Sequence, residues 1–236
     1  MIDIFDLLEF QVLAAARGIE DYYGFTTGEE AASEDVYYTV YQMTRSGILK
    51  QEGEALVIQP PASCLMDEIA AAAYVLVIDQ GQYELPRQCI YHSRGPYVCL
   101  ESCSTDPSKI SLYGMDWESF ILQLKDLYQL PPPHLTEEVG DYDFAGYWED
   151  HIPKGLKGLL EAGCQAEIED FLDCPQIYSV FTLRDKINGK IFKRMVLLDL
   201  PLEFCMALQE DGAVSLERYT PERAEKVLEA WWRDEG

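Results

Sequence analysis

Basic residues are scarce in this sequence. Its 236 residues include 18 lysines and arginines against 42 aspartates and glutamates, which gives a formal net charge of −24. A surface that binds phosphate groups needs clustered positive charge, and a strongly negative molecule repels nucleic acids and anionic membranes. The composition therefore predicts no nucleic-acid partner.

Long apolar runs are also missing. The most apolar stretch, Ile69 to Ile78, is half the length of roughly 20 residues that a membrane-spanning helix needs. The first residues contain acids where a signal peptide carries positive charge. The seven cysteines form no C-x-x-C pair, and their odd, scattered set is typical of reduced thiols. We expect a soluble cytoplasmic protein without membrane insertion.

Motifs of known catalytic chemistry do not occur. The three histidines, His92, His134 and His151, lie in no H-E-x-x-H pattern. Neither a glycine-rich phosphate loop nor a G-x-S-x-G turn is found. The sequence therefore predicts a protein that is not an enzyme and holds no cofactor.

Acidic residues cluster in one segment that could be mistaken for a metal site, namely Asp141, Asp143, Glu149 and Asp150 beside His151. A calcium loop needs a carboxylate at its twelfth position, but Ile152 stands there. This pattern indicates a solvated acidic face and no metal.

The chain does contain a pattern that occurs twice. Ser111-Leu112 leads to Asp116-Trp117-Glu118, and Ser215-Leu216 leads to Thr220-Pro221-Glu222. Asp116 and Thr220 are helix-capping residues, and the helices that follow carry Leu124 and Leu228 at equivalent positions. Strand-like runs precede both helices: Gln88 to Tyr91, Tyr97 to Glu101, Ile177 to Leu183 and Ile191 to Leu198. The repetition predicts an α+β fold in which duplicated strand-strand-helix units form a pseudo-two-fold central antiparallel sheet.

Charge divides the chain into four segments. Residues 1–80 and 131–176 are strongly acidic, whereas residues 81–130 and 177–236 are nearly neutral. The neutral segments contain the two repeats. We interpret 1–80 as an N-terminal helical module and 131–176 as an acidic connector with short helices, Ile152 to Leu160 and Ala166 to Leu172.

The N-terminal module has the outline of a winged helix. Helical spacing from Ile4 to Ala16 ends at Gly18, and a second helix begins near Thr27 or Ser33, with Val36, Val40 and Met43 on its inner face and Gly47 after it. Two short strands surround Glu52-Gly53, and a third helix is predicted over Cys64 to Leu76. Between Thr27 and Ile58 there are six acids and two bases, so a DNA-binding regulator is the weakest reading of this module.

A basic hairpin interrupts the acidic background. Asn188-Gly189 separates two strand-like runs and is typical of a tight turn. Lysines on an edge strand can serve only to block aggregation, but they can also form an interaction surface. The candidate protein-binding residues are Arg184, Lys186, Lys190, Phe192, Lys193 and Arg194.

Several stretches together resemble one protein family. They are an N-terminal helix, a helix ending in Arg45-Ser-Gly47-Ile48-Leu49, the segment Leu56-Val57-Ile58-Gln59-Pro60, and the two strand-strand-helix halves. In this pattern the chain resembles the EspG family of type VII (ESX) secretion-associated proteins. The resemblance implies a cytosolic, non-enzymatic chaperone with a quasi-two-fold sheet and flanking helices, which keeps a helical secretion substrate soluble.

The sequence as a whole predicts an adaptor or chaperone that binds a protein client, possessing apolar and aromatic contacts within an acidic shell. The alternative is an acidic immunity-type protein that mimics nucleic acid and neutralises a basic toxin. Neither reading identifies the partner.

Overall fold

The computed structural model of the chain describes residues 2–20, 22, 31–80, 87–103, 106–132, 152–166, 168–210 and 213–234. The helices in these ranges are α1 (Leu7–Arg17), α2 (Ser33–Arg45), α3 (Ala62–Ala71), α4 (Trp117–Asp126), α5 (Lys154–Ala162), α6 (Ile168–Leu172) and α7 (Pro221–Asp234). The strands are β1 (Ile2–Asp6), β2 (Leu49–Glu52), β3 (Ala55–Ile58), β4 (Tyr74–Gln80), β5 (Gln88–Tyr91), β6 (Tyr97–Cys103), β7 (Asp106–Met115), β8 (Ile177–Asp185), β9 (Ile191–Asp199), β10 (Phe204–Glu210) and β11 (Ala213–Arg218). Of the helices described, none has the length and apolarity to cross a membrane.

Nine strands form one large antiparallel sheet in the order β1-β7-β6-β5-β4-β8-β9-β10-β11, and β2 and β3 form a separate hairpin. The predicted α+β class is confirmed. In chain order, β4 to β7 lead into α4, and β8 to β11 lead into α7. Each half is therefore a run of four strands that ends in a helix, which extends the strand-strand-helix pattern read from the sequence.

The repeated sequence motif lies at the end of each four-strand run. Ser111-Leu112 is in β7 and Ser215-Leu216 is in β11, directly before the two helices. Thr220 caps α7, because its Oγ1 accepts a hydrogen bond from the Arg223 backbone N–H at 3.1 Å. Leu124 and Leu228 are both fully buried, as their equivalent positions predict.

Contacts divide the chain into two compact units. The first comprises the described residues within Met1–Val75, Pro86–Trp117 and Asp185–Gly189, and the second comprises those within Leu76–Leu85, Glu118–Arg184 and Lys190–Gly236. These units do not follow the four charge-based segments, whose boundaries stay a prediction about sequence organisation.

In the first unit, α1 and α3 pack on β7, and α3 also contacts β6. The chain turns from β1 into α1 at Asp6, whose backbone N–H donates to Glu9 Oε2 at 2.9 Å in a capping box. Gly18 ends the helix with a φ of 72°, in the left-handed region that favours glycine. The apolar faces of α1 and α3 then bury Phe10, Leu13, Met66 and Ile69 completely.

Two helix predictions in this unit were wrong at their ends. Ile4 does not belong to the first helix. It lies in β1, where it pairs with Ser111 of β7. The predicted helix Cys64 to Leu76 is α3 followed by β4. Val75 to Asp79 are all buried, and a strand covered on both faces gives a continuous apolar run that periodicity cannot separate from a buried helix.

The helix-helix-hairpin outline of the N-terminal module is confirmed for the described part. The second helix starts at Ser33, while Thr27, the other predicted start, lies outside the described residues. Met43 is fully buried and Val36 and Val40 are half-buried, so the predicted inner stripe is correct. Gly53 adopts a φ of 68° in the turn between β2 and β3.

In the second unit, α5 and α6 supply apolar side chains to a core shared with β8, β9 and β10. The predicted short helices of the connector are thereby confirmed, with bounds shifted by about two residues. The buried members of this core are Ile152, Leu156, Leu160, Ala166, Ile168, Phe171, Ile177, Val180, Val196, Leu198, Leu200, Cys205 and Ala207.

Candidate protein-binding site

The basic segment forms the predicted hairpin. β8 and β9 pair antiparallel, with Val180 opposite Val196, and Gly189 has a φ of 68° in the connecting turn. The Asp185 Oδ1 atom accepts hydrogen bonds from the backbone N–H groups of Ile187 and Asn188, each at 2.9 Å. These bonds fix the loop backbone by local side-chain capture, as aspartate commonly does in turns.

Lys190 and Phe192 form a pair at the start of β9. The Lys190 ammonium lies 5.1 Å from the centroid of the Phe192 ring, which is a cation–π geometry. Lys190 is exposed and Phe192 is half-buried. The pair leaves both a charge and part of an aromatic ring accessible at the surface.

Two further basic side chains of the second unit are half-buried. Lys193 stands opposite Leu183 on one neighbouring strand and opposite Glu210 on the other. Opposite charges directly across an antiparallel pair stabilise it modestly. Arg184 lies near the end of β8.

Lys186 binds within the first unit. Its Nζ donates to the carbonyl oxygens of Ile69 at 2.9 Å and Ala70 at 2.8 Å, and its backbone N–H donates to Ala73 O at 3.0 Å. The last carbonyls of a helix lack partners inside the helix, and a lysine beside them satisfies both hydrogen bonding and the helix dipole. The side chain is therefore engaged as a C-terminal cap for α3.

Arg194 is completely buried in the second unit. Nη1 donates to Gly163 O at 3.3 Å, Nη2 donates to Ala166 O at 3.0 Å, and the guanidinium lies 4.9 Å from the Phe171 ring centroid. The expectation that Arg194 presents its charge to a partner conflicts with this burial. Successive side chains of a strand point to opposite faces, so Lys193-Arg194 before an apolar run had to send one base under the helices.

The structure thus separates the six predicted residues by role. Lys186 and Arg194 hold the fold together, whereas Lys190, Phe192, Lys193 and Arg184 keep some exposed surface. Whether these four bind a protein stays a prediction.

Sequence reasoning missed an apolar side chain at the tip of the hairpin. Ile187 is 73% exposed, although it follows Lys186 and precedes the Asn-Gly turn. Its branched apolar side chain is therefore accessible on a turn whose backbone is fixed by Asp185. Because Ile187 lies among polar turn residues, its exposure could have been predicted from the sequence.

The acidic segment that resembles a metal site is not part of this hairpin. The acidic residues Asp141, Asp143, Glu149 and Asp150 and the neighbouring His151 lie outside the described residues. In the described ranges, no group of three or more metal-ligating side chains comes together.

Two of the buried cysteines, Cys99 and Cys205, have raised thiol pKa values. Burial, with the Glu203 charge, raises the pKa of the Cys205 thiol to about 12. Burial also raises the pKa of Cys99 well above its usual range. A thiol that stays protonated is a poor nucleophile, so these two cysteines have a packing role.

Comparisons with known proteins identify a fold. No protein-family model and no curated protein matches the sequence. Fourteen chains of solved structures match the fold. Among them is the Mycobacterium tuberculosis type VII secretion system chaperone EspG5, solved in complex with the PE25-PPE41 dimer, with a TM-score of 0.51 and 12% sequence identity over 95% of this chain and 93% of that chain. This chain therefore has an EspG-like fold at low sequence identity.

Proposed function

We propose that this protein is a non-enzymatic cytoplasmic adaptor or chaperone, which binds a helical protein client and keeps it soluble. The observation that supports this most is the EspG-like fold, which extends over nearly all of this chain and of the EspG5 chaperone. A secretion substrate of the type VII class is the client that the comparison favours. At 12% identity the fold is shared but the client is not determined.

Masking is the proposed mechanism. A client with an exposed apolar tip aggregates unless apolar and aromatic side chains of another protein cover it. On the hairpin, Ile187 and Phe192 would make the apolar contacts, while Lys190 and Lys193 would act at the rim. The net charge of −24 would then keep the complex in solution.

Coexpression with small helical proteins encoded by neighbouring genes tests the proposal. We expect one of them to become soluble and to copurify with the chain in a fixed stoichiometry. Failure of every such protein to bind, together with tight binding of a basic toxin, would replace the chaperone by the immunity-type protein.

Binding kinetics then test the hairpin. Because rim charges act mainly on association, reversing Lys190 and Lys193 to Glu should slow association with little change in the dissociation rate. Ile187→Asp should speed dissociation, because it places a charge at an apolar contact. Lys154→Glu, an exposed reversal on α5, is the matched control.

The immunity-type alternative makes the opposite prediction. Replacing Asp141, Asp143, Glu149 and Asp150 by Asn or Gln should hardly change dissociation from a chaperone client. A large rise in dissociation rate would show that carboxylates carry the binding energy.

A further inference from the structure

The outer face of α2 carries three exposed tyrosines. Tyr37 is 76% exposed, Tyr38 is 65% exposed and Tyr41 is 60% exposed. Val36, Val40 and Met43 occupy the opposite, inner face of the helix. Large aromatic side chains on a folded surface are typical of protein interfaces, where they supply area at low conformational cost.

Charged residues stand at both ends of this aromatic face. With 3.6 residues per turn, Glu34, Tyr37, Tyr38, Tyr41 and Arg45 fall within about 100° of the helix circumference. Glu34 and Arg45 are both exposed, and along the axis they are separated by roughly 16 Å. The outer face therefore runs from negative through aromatic to positive.

Such a face is complementary to itself when reversed. When two copies of a helix pair antiparallel, the sequence numbers of any two residues that face each other add up to the same total. Glu34 with Arg45 gives the same total as Tyr38 with Tyr41, so both pairs can face each other in one arrangement. A two-fold axis between Tyr38 and Tyr41 would place each Glu34 opposite the Arg45 of the other copy. The tyrosines of the two copies would then meet at the centre.

We infer that the outer face of α2, defined by Glu34, Tyr37, Tyr38, Tyr41 and Arg45, is a self-association surface that binds a second copy of this chain through antiparallel α2–α2 pairing. The inference does not depend on the proposed client or on the hairpin. Three tyrosines, about two-thirds exposed, would bury roughly 400 Å² on each copy. The total of roughly 800 Å² for the two copies is below the ~1,000 Å² of a stable specific interface, so the dimer is weak and depends on concentration.

Net charge sets the conditions for the experiment. Two copies at −24 repel each other over long distances. At 0.15 M salt the Debye length is about 8 Å, so distant charges are screened, whereas Glu34 and Arg45 would be closer than that if they form an ion pair across the dimer. Sedimentation velocity at this salt, from about 5 to 500 μM protein, should show a monomer–dimer equilibrium with a Kd on the order of 100 μM.

Reversing the charges of Glu34 and Arg45 is the decisive experiment. Glu34→Arg alone and Arg45→Glu alone should each raise the Kd about tenfold or more, because each places like charges opposite one another twice in the dimer. The double variant, Glu34→Arg with Arg45→Glu, should restore the Kd to within about threefold of the original. Rescue would not follow if the two residues acted independently.

A matched control removes the effect of net charge. Glu118→Arg changes the charge by the same amount at an exposed position of α4, outside the proposed surface. It should strengthen association slightly or leave it unchanged, because it lowers the general repulsion. Glu34→Arg lowers the same repulsion and should still weaken the dimer.

Removing the aromatic centre is the second arm. Tyr38→Ser with Tyr41→Ser should abolish the dimer without lowering the melting temperature, since both side chains are exposed. A protein that remains monomeric to 500 μM, or a charge-swapped double variant that stays dissociated, overturns the inference. A dimer that survives loss of both tyrosines also overturns it, because another surface must then form it.

Discussion

In each of the two compact units a buried charged side chain holds a loop, and these two charges have opposite sign. In the first unit, Glu68 of α3 accepts hydrogen bonds from the backbone N–H groups of Ser93, Arg94 and Gly95. In the second, Arg194 donates to two backbone carbonyls of residues 163–166. The loop at 93–95 is held through its backbone N–H groups, and the loop at 163–166 is held through its backbone carbonyl groups.

The difference lies in how fully each charge leaves water. Glu68 retains 8% exposure, whereas Arg194 retains none and stacks on Phe171. An ionised group out of water is tolerated only when hydrogen bonds replace its hydration. These two buried charges therefore position backbone, and a charged residue in the sequence is no guide by itself to the surface.

The largest effect is expected from Arg194→Ala. The substitution removes two hydrogen bonds and the stacking on Phe171, and it leaves a cavity and two buried carbonyls without their donor. We expect a loss of about 3 kcal/mol in the free energy of unfolding, measured by urea denaturation. Arg233→Ala, at a side chain 74% exposed, should change it by less than about 0.5 kcal/mol. Equal effects of the two would contradict the role given to Arg194.

A smaller effect is expected at the loop of the first unit. Glu68→Gln keeps the shape of the side chain but replaces one acceptor oxygen by a donor. It should therefore lower the free energy needed to open this loop by about 1–2 kcal/mol. Hydrogen exchange of the 93–95 amides should accelerate, and exchange elsewhere in α3 should not.

Gly95 sharpens this test. A Cβ added at Gly95 would meet Glu68 Oε2 at 2.7 Å and push this oxygen away from the Gly95 N–H that donates to it, so Gly95→Ala should destabilise the loop through the lost hydrogen bond. In combination with Glu68→Ala the two losses should fall short of their sum, because the clash disappears with the carboxylate. Simple additivity would mean that the two residues do not interact.

Lys186→Met should have a still smaller effect. The methionine keeps the apolar stem but removes the donor to the last carbonyls of α3, which water can partly replace at this half-buried position. We expect a loss of about 1 kcal/mol, seen as faster hydrogen exchange at the end of α3. Lys190→Met, at an exposed lysine of the same hairpin, is the control and should leave that exchange unchanged.

The smallest effect concerns pH. The side-chain hydrogen bonds of Arg223 hold the pKa of Glu217 below its ordinary value. A depressed folded-state pKa contributes stability that is present above the unfolded pKa and is lost as the pH falls through the folded one. The two side chains are 46% and 33% exposed and are screened by solvent, so Arg223→Ala should lower stability only slightly at neutral pH, with the difference vanishing in acid. A difference that grows below pH 4 would contradict the sign.

The sequence predicted most of the elements because their signals are local. Thr220 before α7, Gly18 after α1 and Asn188-Gly189 in the hairpin each act within a few residues. By contrast, the continuous burial of β4 and the complete burial of Arg194 depend on which elements cover the sheet. The two hydrogen bonds of Arg194 join residues 31 and 28 positions apart, and no local pattern encodes them.

The same limit applied to the candidate site. The hairpin was predicted from its turn and its bases, but the sequence could not distinguish a lysine that caps α3 from one that faces solvent. Lys186 and Lys190 have the same chemistry and differ only in what the fold brings beside them.

The two margins of the large sheet have a consequence for handling the protein. β1 and β11 lie at the ends of the strand order, and each carries charge, Asp3 and Asp6 on one and Glu217 and Arg218 on the other. An outer strand with open backbone groups can recruit further strands into fibrils, and charged side chains oppose that recruitment. A charge-neutralising change at Asp3 should therefore shorten the shelf life of concentrated stocks before it alters the fold, whereas changes at Asp6, Glu217 and Arg218 would also remove local contacts.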